Sequence, residues 1–255
     1  MHIHFIIHES YEGQGAFGLW VTSKGFHQTN TRLYLGEKLP EKLDFDLLVV
    51  LGGPQSPLTT EDECSYFNVN AEVSFISKCI SAGKAIVGVC LGAQLIGEAL
   101  GAKFERSPHK EIGYFPILIT AKGKENKLFN HFQSTEVVGH WHNDMPGLLP
   151  TSKILAYSKG CPRQIVEYSD IVYGIQCHLE FTEDSMKDLI SSAFDVTLVK
   201  DNLWIQEANE IMVYNTNKMN SLLYKLLDNL MLRYRNKVII TRASILNRDK
   251  APNKL

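Results

Sequence analysis

The sequence is short of several things, and each shortage removes a class of function. No apolar run approaches the ~20 residues that cross a bilayer, and the opening MHIHFIIHESYEG has neither a basic leader nor a small-residue cleavage site. A cytoplasmic protein without membrane contact is expected. Neither sign of charge is in excess: 26 Lys and Arg stand against 28 Asp and Glu. That balance leaves no broad cationic footprint for nucleic acid or an anionic surface, and a small molecule or a protein is the expected partner. Cys-x-x-Cys spacing is missing too. Cys64, Cys79, Cys90, Cys161 and Cys177 form an odd, scattered set, which argues against a disulfide framework or a zinc ribbon. There is no internal repeat and no linker.

What is present is enough for one substantial core: 255 residues, 44% of them hydrophobic. HIHFIIH, DFDLLVVLGGP and GKAIVGVC read as buried strands, the last two running into glycines. Between the second and third, residues 65–82 place Phe67, Val69, Val73, Ile76, Cys79 and Ile80 at helical spacing. Strand, helix and strand within about 40 residues make a βαβ unit, hence a parallel sheet with a crevice beyond its carboxyl ends. After Gly101 the runs YFPILIT, TEVVGHWH, KILAYS, RQIVEY and IVYGIQCH are separated by turns too short for crossover helices, so an antiparallel or mixed portion is expected. Thr182 is set to cap a helix with Glu183 and Asp184 in its first turn. Met219, Leu222, Leu223, Leu226, Leu227, Leu230 and Tyr234 share a face over 218–234 that either packs on the sheet or forms a homodimer seam. Residues 237–255 read as a basic, poorly ordered tail.

Chemistry concentrates at Gly88-Val89-Cys90-Leu91-Gly92. A nucleophile held on a sharp strand-to-helix turn needs small residues two before and two after it, because side chains there would strike the approaching strand and helix. The following helix points its amino end at the thiol and favours the thiolate. A buried cysteine at such a turn is otherwise an inert core residue; the paired glycines favour the nucleophile. A nucleophile needs a base, and His178 and Glu180, two apart on an extended run, can face the same way. Cys90, His178 and Glu180 then form a triad. The break at Gly52-Gly53-Pro54 frees amides that can hold an oxyanion.

Together, GGPQS, GVCLGAQLIGEALGA, KEIGYFPI, GHWHND and GIQCHLEFT resemble the class I, triad-type glutamine amidotransferases over about residues 3–235, most closely the stand-alone branch similar to GMP synthase amidotransferase domains. The resemblance implies a flavodoxin-like three-layer α/β fold: an open, mostly parallel sheet with an antiparallel part and helices on both faces, here spanning residues 1–236. It implies attack by Cys90 on the γ-carboxamide of glutamine, protonation of ammonia by His178 held by Glu180, and an oxyanion hole from the amides of Gly53 and Leu91. It also places Gln94, Glu111, Gly113, His142 and Asp144 around the substrate, with no cofactor. Cys177 stands where the family has an aromatic, and Asn143 where it has glycine. The chain carries no synthetase domain, so ammonia goes to an acceptor on a separate synthetase partner, or the enzyme is a γ-glutamyl peptidase acting on small γ-glutamyl compounds. A redox-sensing, non-catalytic α/β module is the reading from another class.

Three signals are set aside. Gly13-Gln14-Gly15-Ala16-Phe17-Gly18 fits a dinucleotide pattern but does not follow its strand directly, and reads as a rim loop. His140 and His142 have metal-ligand spacing but no third ligand nearby, so no metal is expected. His2, His4 and His8 alternate as polar positions on an edge strand.

Overall fold

The computed structural model describes residues 1–199 and 202–248. Nine strands make one sheet: β1 (His2–Ile7), β2 (His27–Arg32), β3 (Leu47–Val50), β4 (Ala85–Val89), β5 (Glu105–Ile119), β6 (Thr135–Met145), β7 (Lys153–Tyr157), β8 (Ile165–Ser169) and β9 (Val172–Ile175), in the order β2-β1-β3-β4-β9-β8-β7-β5-β6. The five from β2 to β9 pair in parallel and the rest antiparallel. This is the expected α/β architecture. β3 and β4 are buried along their whole length, which is why they read as continuous apolar runs rather than alternating ones.

The helices are α1 (Ala16–Ser23), α2 (Val69–Ser81), α3 (Leu91–Ala99), α4 (Ala121–Glu125), α5 (Glu183–Ala193), α6 (Ala208–Met212) and α7 (Asn217–Arg248). α2 starts where the Asn68 side chain accepts the Ala71 amide, and α5 starts at Thr182 in a reciprocal cap with Ser185. α2 packs on α3 and α1 on α7, as two separate layers against β4. The apolar stripe Met219 to Tyr234 is buried inside this fold. α7 runs on to Arg248, so the first part of the expected tail is helix; residues 249–255 lie outside the described residues.

Two expectations fail at the left of the sheet. β1 is internal, because the polar run HQTNTR forms β2 beyond it. His4 is accordingly buried, and His8, just past the end of β1, is buried against Gly52 and Glu72. The rings of His2 and His4 are matched by threonine hydroxyls of β2, Thr29 at 2.8 Å from each and Thr31 at 3.1 Å from His4. A strand whose partners are hydroxyls has no apolar alternation to announce it.

Candidate active site

Cys90 lies between the end of β4 and the start of α3 with φ 51° and ψ −109°, and is the one non-glycine residue of positive φ among the described residues. A β-carbon on Gly88 would overlap the Gly92 carbonyl and sit 2.7 Å from the Ala93 nitrogen. One on Gly92 would overlap the Val50 carbonyl oxygen and come within 2.9 Å of the Val50 side chain. Both glycines are therefore steric requirements of the turn. The Cys90 amide donates to the Ile175 carbonyl at 2.8 Å, tying the elbow to the strand that leads to His178.

His178 Nδ1 lies 2.5 Å from Glu180 Oε1, and Glu180 also accepts the Leu179 amide at 3.0 Å. Nε2 has no protein hydrogen-bond partner among the described residues, and the ring interacts with the Cys90 thiol beside it. Burial works against the imidazolium, but the Glu180 charge and the Cys90 thiol outweigh it and raise the pKa to about 10. A protonated His178 next to Cys90 is the state that stabilises a thiolate. Phe181 stacks flat on the ring at 4.1 Å. From the far side, Asn220 of α7 donates to the carbonyls of Leu179 at 2.8 Å and Phe181 at 3.0 Å. Replacing Asn220 by alanine leaves both carbonyls unmatched, and is expected to cost about 1–3 kcal/mol of stability and to lower turnover through a displaced His178; urea unfolding read beside a turnover assay checks both.

A cavity of about 400 Å³ opens on the thiol, lined among others by Glu12, Gly53, Cys90, Gln94, His142 and Asp144. That volume suits a small polar ligand. Arg106 and Lys110 bring positive charge to it, Arg106 pairing with Asp144 at 3.0 Å. Gly53 lies against the side chain of Leu91, the first residue of α3; a first-turn amide has no acceptor within its own helix. Glu111 and Gly113 do not line this cavity. Glu111 is turned into the interior against Ser158 and Gln164, and Gly113 lies under Gln206, whose side chain accepts the Tyr114 amide at 2.7 Å. Cys177, as strand alternation requires, faces away and is buried, its thiol 3.8 Å from the Gln164 carbonyl.

Several groups at the site were not visible in the sequence. Gln176 donates to the Cys90 sulfur at 3.4 Å. His8 sits 3.0 Å from the Gly52 carbonyl and 2.9 Å from Glu72 of α2. Burial opposes its charge, yet Glu72 prevails and the pKa is raised; the ring ties the glycine turn to α2. Glu12 brings its carboxylate against Gly52, where a β-carbon would also be 3.4 Å from the Cys90 β-carbon and 3.6 Å from His178 Cε1. Burial pushes Glu12 up to about 7, the nearby histidines pulling the other way. The rim loop places it there: the Ala16 amide, at the head of α1, donates to the Glu180 carbonyl at 2.8 Å.

Residues 18–196 match the family model of the class I glutamine amidotransferases. The chain belongs to that family. The amidotransferase-like protein YfeJ of Salmonella typhimurium is 46% identical over 239 residues, 93% of this chain and 100% of that one. A glutamine-hydrolyzing GMP synthase component of Methanococcus maripaludis is 30% identical over 149 residues, 58% of this chain and 70% of its own. The crystal structure of SMU.1228c superposes with a TM-score of 0.89 at 44% identity, covering 91% of this chain and 100% of that one. A glutamine amidotransferase of Thermotoga maritima has the same fold at 24% identity, with a TM-score of 0.79 and coverage of 90% and 97%. The class I amidotransferase family is one of glutamine amide hydrolysis, and the elbow, the imidazole and the cavity lie together on this chain. No helix among the described residues is long and apolar enough to cross a membrane.

Proposed function

We propose that this protein hydrolyses the γ-carboxamide of glutamine through a thioester on Cys90 and passes the ammonia to a separate acceptor protein. The observation that carries the reading is a thiol on a strained elbow beside an imidazole held by Glu180 at 2.5 Å. The Cys90 thiolate attacks the amide carbon, and the carbonyl oxygen takes the negative charge between the amides of Gly53 and Leu91. Collapse breaks the C–N bond as the His178 imidazolium gives its proton to the departing ammonia. His178, now neutral, takes a proton from water, the hydroxide attacks the thioester, and glutamate leaves with the thiolate restored. Asp144 and Arg106 at the cavity wall suit the α-ammonium and α-carboxylate of a free amino acid. A separate synthetase acceptor is supported by the likeness to the GMP synthase component of Methanococcus maripaludis.

Treatment with the glutamine analogue 6-diazo-5-oxonorleucine, followed by peptide mass mapping, tests this. An adduct confined to Cys90 and weakened in His178→Ala supports it; an unlabelled Cys90 in folded protein overturns it. Release of amines from γ-glutamyl dipeptides faster than ammonia from glutamine would assign the peptidase activity instead.

Glu12 gives the reaction an expected pH dependence. With the pKa of His178 raised to about 10, its imidazolium is present at neutral pH. Ionising Glu12, whose pKa is about 7, adds a negative charge beside a proton that must leave and an oxyanion that must form. kcat/KM for glutamine is therefore expected to fall as pH rises through 7, and Glu12→Gln to remove that inflection, measured by ammonia release from pH 5.5 to 9.

A further inference from the structure

Behind the cavity, the strand pair β5–β6 and the segment 158–164 enclose a second polar cluster that the thioester chemistry does not use. Glu111 and His142 are direct cross-strand partners, and His140, two residues before His142, projects from the same face. All three are buried. Glu111 Oε2 lies 3.3 Å from His142 Nε2 and 3.5 Å from His140 Nδ1, and the two ring nitrogens are 3.3 Å apart. The third ligand that the sequence lacked near His140 and His142 is thus supplied by the neighbouring strand.

These separations have a specific meaning. Zinc binds imidazole nitrogen and carboxylate oxygen at about 2.0–2.1 Å, and the edge of a tetrahedron with that radius is about 3.3–3.4 Å. The three atoms therefore form one face of a zinc-sized tetrahedron. The opposite corner is occupied by the side-chain amide of Gln164, with Nε2 2.7 Å from Glu111 Oε2 and 3.2 Å from both His140 Nδ1 and His142 Nε2. Its other end, Oε1, has no hydrogen-bond partner among the described residues, and half a turn of the amide brings that oxygen to the corner instead.

The surroundings supply hydrogen-bond partners for His140 and Glu111. His140 Nε2 lies 3.2 Å from the Phe115 carbonyl, which can only accept, so Nε2 carries the hydrogen and Nδ1 turns a lone pair inward. The Ser158 hydroxyl donates to the Glu111 carboxylate at 2.8 and 2.9 Å, and itself accepts the Cys161 amide at 2.8 Å. His142 also lines the catalytic cavity, which gives an ion a way in.

We propose that Glu111, His140 and His142 bind one divalent ion of the zinc class, with the Gln164 amide oxygen as fourth ligand, as a closed structural site that clamps β5, β6 and the 158–164 segment and fixes His142 in the cavity wall. Two imidazoles with one carboxylate select zinc or cobalt over magnesium or calcium, which prefer all-oxygen shells. The proposal is independent of the thioester reaction.

The test uses the full chain as Cys90→Ser, which removes the active-site thiol as a competing ligand. After stripping with a chelator, the protein is titrated with Co²⁺ and then Zn²⁺, followed by visible absorption and by metal-to-protein ratio. One equivalent of cobalt with the strong visible bands of tetrahedral geometry, displaced by zinc, is expected, with affinity lowered at least tenfold in His140→Asn and in Glu111→Gln. A folded protein that binds no cobalt overturns the site, and so does cobalt binding unchanged in His140→Asn, which would place the ion elsewhere. If His140→Asn fails to fold, the titration of the Cys90→Ser protein alone still decides, because a purely hydrogen-bonded cluster gives no tetrahedral spectrum.

Discussion

Cys90→Gly is expected to melt at a higher temperature than Cys90→Ala while both lose all thioester-dependent hydrolysis. The native φ of 51° with ψ of −109° belongs to a region open to glycine and strained for any residue with a β-carbon. Holding a side chain there costs about 1–3 kcal/mol. Glycine relieves the strain and gives back part of the gain as greater freedom of the unfolded chain, about 0.4–1 kcal/mol. The surplus of roughly 1 kcal/mol converts to about 2–4 °C for a domain of this size. Alanine keeps the strain and removes only the sulfur, so the difference between the two variants reads the elbow strain free of chemistry. Equal melting temperatures would mean that the elbow stores no strain. Activity surviving in either variant would remove Cys90 from the mechanism.

The largest loss of stability is expected from Gly92→Ala. Its new β-carbon would overlap the carbonyl oxygen of Val50 in the neighbouring strand β3, and backbone there has nowhere to retreat because β3 is fully buried and paired on both sides. A cost of about 3–5 kcal/mol is expected, at the upper end for overpacking because the obstacle is backbone. Gly88→Ala should cost a similar amount, since its β-carbon would meet the Gly92 carbonyl. The double variant should cost less than the sum, because either substitution alone already displaces the turn that both depend on. Urea midpoints for the three variants measure this, and full additivity would show that the two glycines relieve separate contacts.

Why some of this was legible in the sequence and some was not follows from how far apart the cooperating residues are. The elbow is written within five residues, and His178 with Glu180 within three, so local spacing exposes them. The buried strands β3 and β4 show as apolar runs for the same reason. Glu12, His8 with Glu72, and Asn220 reach the site only after the sheet has assembled, and nothing in their own neighbourhoods marks them. The partnership of Glu111 with His140 and His142 depends on the register of two antiparallel strands, which no short window contains. β2 escaped because its side chains satisfy histidines rather than a core. Glu111 and Gly113, which the family motif named for the substrate, lie apart from the cavity lining: Glu111 faces Gln164, and Gln206 covers Gly113.

The grip of Asn220 on the carbonyls either side of Glu180 has a consequence in time. The thiol is synthesised early, but β9, the strand that pairs with β4 and leads to the base, emerges about 80 residues later. The clamp on the residues around that base comes from a helix later still. Some 130 residues separate Cys90 from Asn220, about 7–26 s of translation at ordinary rates. Through that interval the nascent chain carries a cysteine without its partner acid, so the geometry that makes Cys90 reactive is withheld until the last helix docks.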